Sequence, residues 1–434
     1  MKYDNKIDIF VDYFKKSETR ESEFKLGIEI EHFIVDSEDY RAISYYENDG
    51  IEDILKELTK LSWDPVYEGN YLIGLKKDKM KITLEPGGQI EISMIPKSNI
   101  KETKAIYQEF LENIIPILEK KNRKIITMGY QPVSSKEEIP LIPKKRYEYM
   151  YNYFKNRGKY SHNMMKSTAS IHVNIDYENE IDYIKKYKVA SFLSPIIYYM
   201  FDNSPFFEGN IYSKKSVRGM IWEQCDVGRR SIIKNVFESN FGYKEYAKYL
   251  LSVPSILFLK DNNIEYTNNQ ILKELIDPDN ITQKEIEYLL SMVFPDVRTK
   301  NYIEIRMGDA LPFPESFGYI IFWKGLMYKR KNLNYIYNQI KDYDEKSIIN
   351  FKNDILSKGK DSLIFGESLN DYILELFELA ESGIKKEEIK YLEIIKKIIE
   401  KYQKPKNKIS SNLEKDRSNY LKWCTLNLQK LNKY

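Results

Sequence analysis

The chain has 434 residues, 42% hydrophobic and 14% aromatic, with 68 Lys plus Arg against 65 Asp plus Glu. This is ample for one large core, and a net charge of +3 over that length excludes a field that gathers nucleic acid. Cys225 and Cys424 allow one disulfide at most, Met1–Phe10 lacks the succession of a secretory signal, and the apolar stretch Val189–Phe201 is too short for a spanning helix of roughly 20 residues, so a cytoplasmic protein without a membrane segment is expected.

In chain order, Leu26–Val35 is the first segment that alternates with period 2, placing Leu26, Ile28 and Ile30 opposite Gly27, Glu29 and Glu31. Lys81–Ser93 repeats the pattern about a turn at Pro86-Gly87-Gly88, with Ile82, Leu84, Ile90 and Ile92 opposite Thr83, Glu85, Gln89, Glu91 and Ser93. Lys101–Leu118 changes period: Ile106, Phe110, Ile114 and Ile117 form one helical stripe, with Pro116 in the last turn. Ala169–Tyr177 sets Ala169, Ile171, Val173 and Ile175 against Ser170, His172, Asn174 and Asp176. Asn301–Met307 sets Ile303, Ile305 and Met307 against Tyr302, Glu304 and Arg306. From Asp371 a helix runs to Ala380, stops near Gly383, and resumes with Leu392, Ile395, Ile399 and Tyr402 as an apolar seam; Gln403–Ser411 reads as a polar connection. No repeat or long linker divides the chain, so one α+β domain over 1–434 is expected, with the sheet and its covering helices in 1–340 and a helical layer in 341–434.

Any one of these strands would alternate in the same way if its polar face met water. Together they carry five glutamates, one of only three histidines, and an arginine on their polar faces. Two carboxylates about 4 Å apart repel by roughly 4 kcal/mol at an effective dielectric near 20, so a shared face needs counter-charge. Glutamate oxygens with one imidazole suit Mg²⁺ or Mn²⁺ and match neither a thiolate zinc site nor an EF-hand loop. Because Mg²⁺ is commonly completed by phosphate and water, the pattern points to a metal-nucleotide site on an antiparallel sheet.

Six motifs, GIEIEHF (Gly27–Phe33), TLEPGGQIEIS (Thr83–Ser93), MMKSTASIHVNIDY (Met164–Tyr177), NSPFFEG (Asn203–Gly209), SVRGMIW (Ser216–Trp222) and FPDVRTKNYIEIRMGDALP (Phe294–Pro312), resemble the glutamate-cysteine ligase family in its plant-type and proteobacterial branch. The softer LIPKKRYEYM (Leu141–Met150) adds to them. The resemblance implies a glutamine synthetase-like antiparallel cradle with helices on its outer face. It also implies ATP-dependent joining of the L-glutamate γ-carboxylate to L-cysteine, the first step of glutathione synthesis, with Mg²⁺ or Mn²⁺. By position, Glu29, Glu31, Glu85, Glu91, His172 and Glu304 are then metal ligands, and Arg306 points into the same site as a catalytic group for phosphate or a developing oxyanion. Arg298, read as catalytic, and Arg218, read as substrate-binding, are candidates for the oxyanion with the substrate α-carboxylate as their alternative target, and Trp222 and Thr168 are substrate-binding candidates. Two positions depart from the family pattern. Plant-type members carry Gln at His172, which leaves a different acceptor amine open, and DVGRRSI (Asp226–Ile232) stands where an Arg-Thr-Gly sequence is usual, so Arg229 and Arg230 receive no role. On this reading Glu304→Gln leaves folding intact.

Overall fold

A computed structural model describes residues 2–260, 263–267, 270–402 and 413–433. Each alternating segment forms a strand, and the strands join one nine-stranded antiparallel sheet. In chain order they are β1 (Leu26–Asp36), β2 (Asp64–Glu68), β3 (Tyr71–Lys77), β4 (Met80–Leu84), β5 (Ile90–Lys97), β6 (Arg123–Ile126), β7 (Ser170–Ile175), β8 (Val297–Thr299) and β9 (Ile303–Asp309). In space the order is β8-β9-β7-β1-β5-β4-β3-β2, with β6 on the second half of β1. The turn between β4 and β5 falls at the predicted glycines: Glu85 N–H donates to the Gln89 carbonyl at 2.9 Å, and Gly88 takes φ +84°, which favours glycine.

The helix Ile100–Lys120 starts at Asn99, whose side chain accepts from the Lys101 N–H, and it runs through Pro116. It packs on β5 and β6 with Ile106, Tyr107, Phe110, Leu111 and Ile114 buried. The apolar run Val189–Phe201 falls in the helix Glu180–Met200 and its end, packed against β9 and the helices Arg330–Ile340 and Glu345–Lys358. That burial explains its composition, and no helix among the described residues is long and apolar enough to cross a membrane.

The expected break in the C-terminal part is present. Leu369–Ser382 ends at Gly383, whose N–H donates to the Ala380 carbonyl, and Ile389–Tyr402 follows. Both pack on Glu315–Met327, which in turn touches β7, so these helices form a second tier over another helix. Two features were not expected. Residues 341–434 include the ribbon Leu363–Ile364 with Glu367–Ser368, and the chain end returns to the sheet, where Thr425 bridges Ile126 and Thr127 N–H donates to the Cys424 carbonyl at 3.1 Å. The reading of Gln403–Ser411 lies outside the described residues. Cys225 and Cys424 are free and buried, and burial pushes the Cys225 thiol up to about 12, leaving it a poor nucleophile.

Candidate active site

Register brings the polar faces together. Glu29 on β1 lies opposite Ser93 of β5 and His172 of β7, Glu31 lies opposite Glu91, and Asn174 lies opposite both Gly27 and Glu304. His172 sits between two carboxylates: Nδ1 is 3.1 Å from Glu29 Oε2 and Nε2 is 3.7 Å from Glu31 Oε1. Ser170 secures Glu31 through its N–H at 2.7 Å and its hydroxyl at 3.1 Å, and the same hydroxyl lies 2.8 Å from His172 Nε2. Thr83 and Ser93 hydroxyls donate to Glu91 at 2.7 and 3.2 Å.

Two sets of potential ligand atoms result, Glu29–His172–Glu304 and Glu31–Glu91–His172, each lying within 4.8 Å of one another. Their electrostatics differ. Burial, reinforced by Glu85 and Glu91, pushes the Glu31 carboxyl up to about 8, and burial with Glu29 and Glu85 raises Glu91. Burial would also raise Glu29, but the His172 hydrogen bond and the Lys300 charge outweigh it and hold it near 2. Burial, then Arg306, lowers His172 and keeps its imidazole neutral. On the Glu31–Glu91 side the opposing charge of Arg218 is outweighed by burial and the neighbouring carboxylates, whereas on the Glu29 side the counter-charge prevails.

That counter-charge gathers on Glu304, which is fully buried. Arg298 grips both of its oxygens (Nε to Oε2 2.6 Å, Nη2 to Oε1 3.0 Å), Lys300 Nζ meets Oε1 at 2.8 Å, and Arg306 Nη1 meets Oε2 at 2.7 Å. Four donors fill the roughly four lone-pair positions of a carboxylate. A cation could reach Glu304 only by displacing one of them. The strands bring the carboxylates together, and Glu304, although a member of the Glu29–His172–Glu304 set, already carries protein cations, which the sequence did not disclose.

The remaining candidates are placed as follows. Glu85, at the end of β4, belongs to neither ligand set; Tyr147 OH lies 3.4 Å from it. Arg218 is 2% exposed and gives Nη1 and Nη2 to the carbonyls of Met307 and Arg306 at 3.1 and 2.9 Å, while its Nε has no partner among the described residues. The Trp222 ring lies 5.8 Å from that guanidinium, and its Nε1 is likewise buried and unpartnered. The Thr168 hydroxyl donates to the Met164 carbonyl at 2.7 Å. Gln89, on the polar face by alternation, is buried with its amide donating to the carbonyls of Met165 and Thr168. Sequence reasoning passed over Ser170 and Asn174, although both share the His172 face. Lys300 carried no strand signal, since it precedes β9 in a tight connection. A cleft of about 580 Å³ adjoins Glu29 and is lined in part by Ser93, Asn174, Tyr302, Lys76 and Lys81.

A nine-stranded antiparallel sheet that gathers carboxylates, one imidazole and a set of basic side chains on one face defines a glutamine synthetase-like fold. A solved glutamate-cysteine ligase from Francisella tularensis, in complex with AMP, shares that fold: TM-score 0.58, 15% identity, covering 94% of this chain and 88% of that one. The chain belongs to the family described as Glutamate-cysteine ligase family 2, whose family model matches residues 25–415. Among its relatives are glutamate-cysteine ligase A, chloroplastic, of Oryza sativa subsp. japonica, 30% identical over 86% of this chain and 77% of the relative, and the chloroplastic glutamate-cysteine ligase of Medicago truncatula, 29% identical over 87% and 75%. These relatives are named as chloroplastic, which contradicts the cytoplasmic expectation drawn from the cysteine count and the first residues.

Proposed function

We propose that the chain joins the γ-carboxylate of L-glutamate to the amino group of L-cysteine at the expense of ATP, through a γ-glutamyl phosphate, giving γ-glutamylcysteine, ADP and phosphate. The observation that carries the reading is the division of one sheet face into an acidic part whose carboxylates outweigh the cations beside them and a basic part around Glu304. A carboxylate is a poor electrophile with a hopeless leaving group until it is phosphorylated, and that transfer brings two polyanions together. Both halves of such a face are needed.

The residues present fit a hard divalent cation. Glu29, Glu31, Glu91 and His172 offer oxygens and a neutral imidazole nitrogen, and the repulsion between Glu31 and Glu91 is what a cation relieves. We assign these four as the residues that would hold Mg²⁺ or Mn²⁺, with Glu85 behind them and Glu304 engaged only if a basic partner moves away. When bound, the cation supplies charge neutralisation for the transferring phosphoryl group. The chain supplies the rest. Arg306 spends one donor on Glu304, and among the described residues its guanidinium has no other hydrogen-bond partner, which suits it to phosphate. Arg298, tied to Glu304 and the Val293 carbonyl, keeps that carboxylate, and hence Arg306, in place. The cleft beside Glu29, with Lys76 and Lys81 in its wall, suits the nucleotide. Arg218 and Trp222 present unpartnered N–H donors for a substrate carboxylate, and Thr168 holds the segment entering β7.

We also propose one catalytic unit over 1–434, with the cradle in 1–340 and the remainder bracing it. The return of Thr425 to Ile126 supports that reading. ADP formation is expected to require L-glutamate together with Mg²⁺ or Mn²⁺. The check is ADP release before and after excess chelator, and full activity in chelator contradicts the metal assignment.

A further inference from the structure

Asn174 is 7% exposed on β7, two residues beyond His172 and therefore on the same face. Its Nδ2 donates to Glu29 Oε1 at 3.1 Å. Because a carboxylate only accepts, this contact fixes which end of the amide meets Glu29. The other end, Oδ1, is buried and has no hydrogen-bond partner among the described residues. A buried acceptor left unmade is costly, and an apolar side chain of the same shape would avoid that cost. The fold also makes room for the amide: Gly27 stands opposite on β1, where a Cβ would lie 3.2 Å from Asn174 Cβ and 3.3 Å from its Nδ2.

What this arrangement achieves is control of Glu29. The carboxylate receives Nδ2 of Asn174 on Oε1 and faces His172 Nδ1 with Oε2, so its plane is fixed from both sides, and it forms one wall of the cleft that Asn174 also lines. Partners that orient a metal-ligating carboxylate typically change metal affinity 10- to 100-fold. We propose that Asn174 is a positioning residue for the divalent cation: its amide N–H holds Glu29 in ligating orientation, and its unpaired carbonyl is the structural consequence of that task. The proposal rests on the metal reading above and concerns Asn174 alone.

The test uses N174L, which keeps the shape and removes both the bond and the orphaned acceptor, with N174A as a second variant free of any steric demand. Mn²⁺ binding to the metal-free protein is followed by loss of the free-ion electron paramagnetic resonance signal, alongside thermal unfolding without metal. The expected result is a Kd for Mn²⁺ raised about tenfold or more in both variants, an unfolding temperature unchanged or higher in N174L, and turnover that recovers when metal is raised well above the new Kd. Folded variants that bind Mn²⁺ within about twofold of the parent overturn the proposal while leaving the metal site standing. A large fall in unfolding temperature with unchanged Mn²⁺ affinity also overturns it, making Asn174 a packing residue. A parent protein that takes up no Mn²⁺ overturns this proposal and the metal reading together.

Discussion

Glu304→Gln is expected to destabilise the folded protein by about 3–5 kcal/mol, the usual consequence of removing one partner from a buried ion cluster. Glu304 is wholly inaccessible and accepts four hydrogen bonds from Arg298, Lys300 and Arg306. An amide keeps the shape but has one acceptor oxygen, and its NH₂ would face donors already in place. Three cations would then share a neutral partner in a region from which water is largely excluded. This reverses the expectation drawn from sequence, in which the substitution left folding intact because Glu304 was read as one more member of a crowded acidic face. Denaturant unfolding of the ligand-free protein decides between them. A variant within about 0.5 kcal/mol of the parent, the range of an ordinary surface change, would mean that the cluster around Glu304 does not hold that part of the sheet.

Glu31→Gln is expected to behave in the opposite manner. Glu31 stands directly across from Glu91 and is held protonation-prone, up to about 8, by burial and by the Glu85 and Glu91 charges. The amide removes a group that folding must either protonate or hold against Glu91, a like-charge conflict on the order of 0.2–1 kcal/mol between cross-strand partners, and the glutamine oxygen can still accept from the Ser170 N–H. The metal-free variant should therefore be as stable as the parent or slightly more so. Its turnover should fall by roughly a thousandfold, since loss of a charged ligand forfeits several kcal/mol of transition-state charge stabilisation. Pairing unfolding of the metal-free protein with ADP release at saturating Mg²⁺ separates the two effects. Near-normal turnover would remove Glu31 from the metal set, and a large loss of stability would show that its charge has a partner in the fold.

The contrast between these two glutamates marks what the sequence discloses. Glu29, Glu31, Glu91 and His172 were legible because side chains of a strand alternate strictly, so period 2 assigns each to a face, and the six motifs named the cradle that joins the faces. The environment of Glu304 was hidden for a physical reason. Arg298 lies on β8, three residues long and too short to show a period, and Lys300 reaches Glu304 across the connection to β9. Glu85 shows a related limit: alternation gave its face, but its place at the end of β4, beside Tyr147, depends on packing from a distant helix. In the C-terminal part the apolar seam of Ile389–Tyr402 was evident from spacing, whereas its partner, Glu315–Met327, is apolar all round and carries no directional pattern.

The central claim, ATP-driven formation of a γ-glutamyl peptide bond, is tested most directly by product analysis. The protein is incubated with ATP, Mg²⁺, L-glutamate and L-cysteine, and the peptide, ADP and phosphate are measured together, with other amines replacing cysteine in parallel. The account predicts γ-glutamylcysteine with equal amounts of ADP and phosphate, and slower turnover with every other acceptor. Much faster turnover with a different amine would contradict the assignment of cysteine, and the absence of ADP with any glutamate–amine pair would contradict the account as a whole.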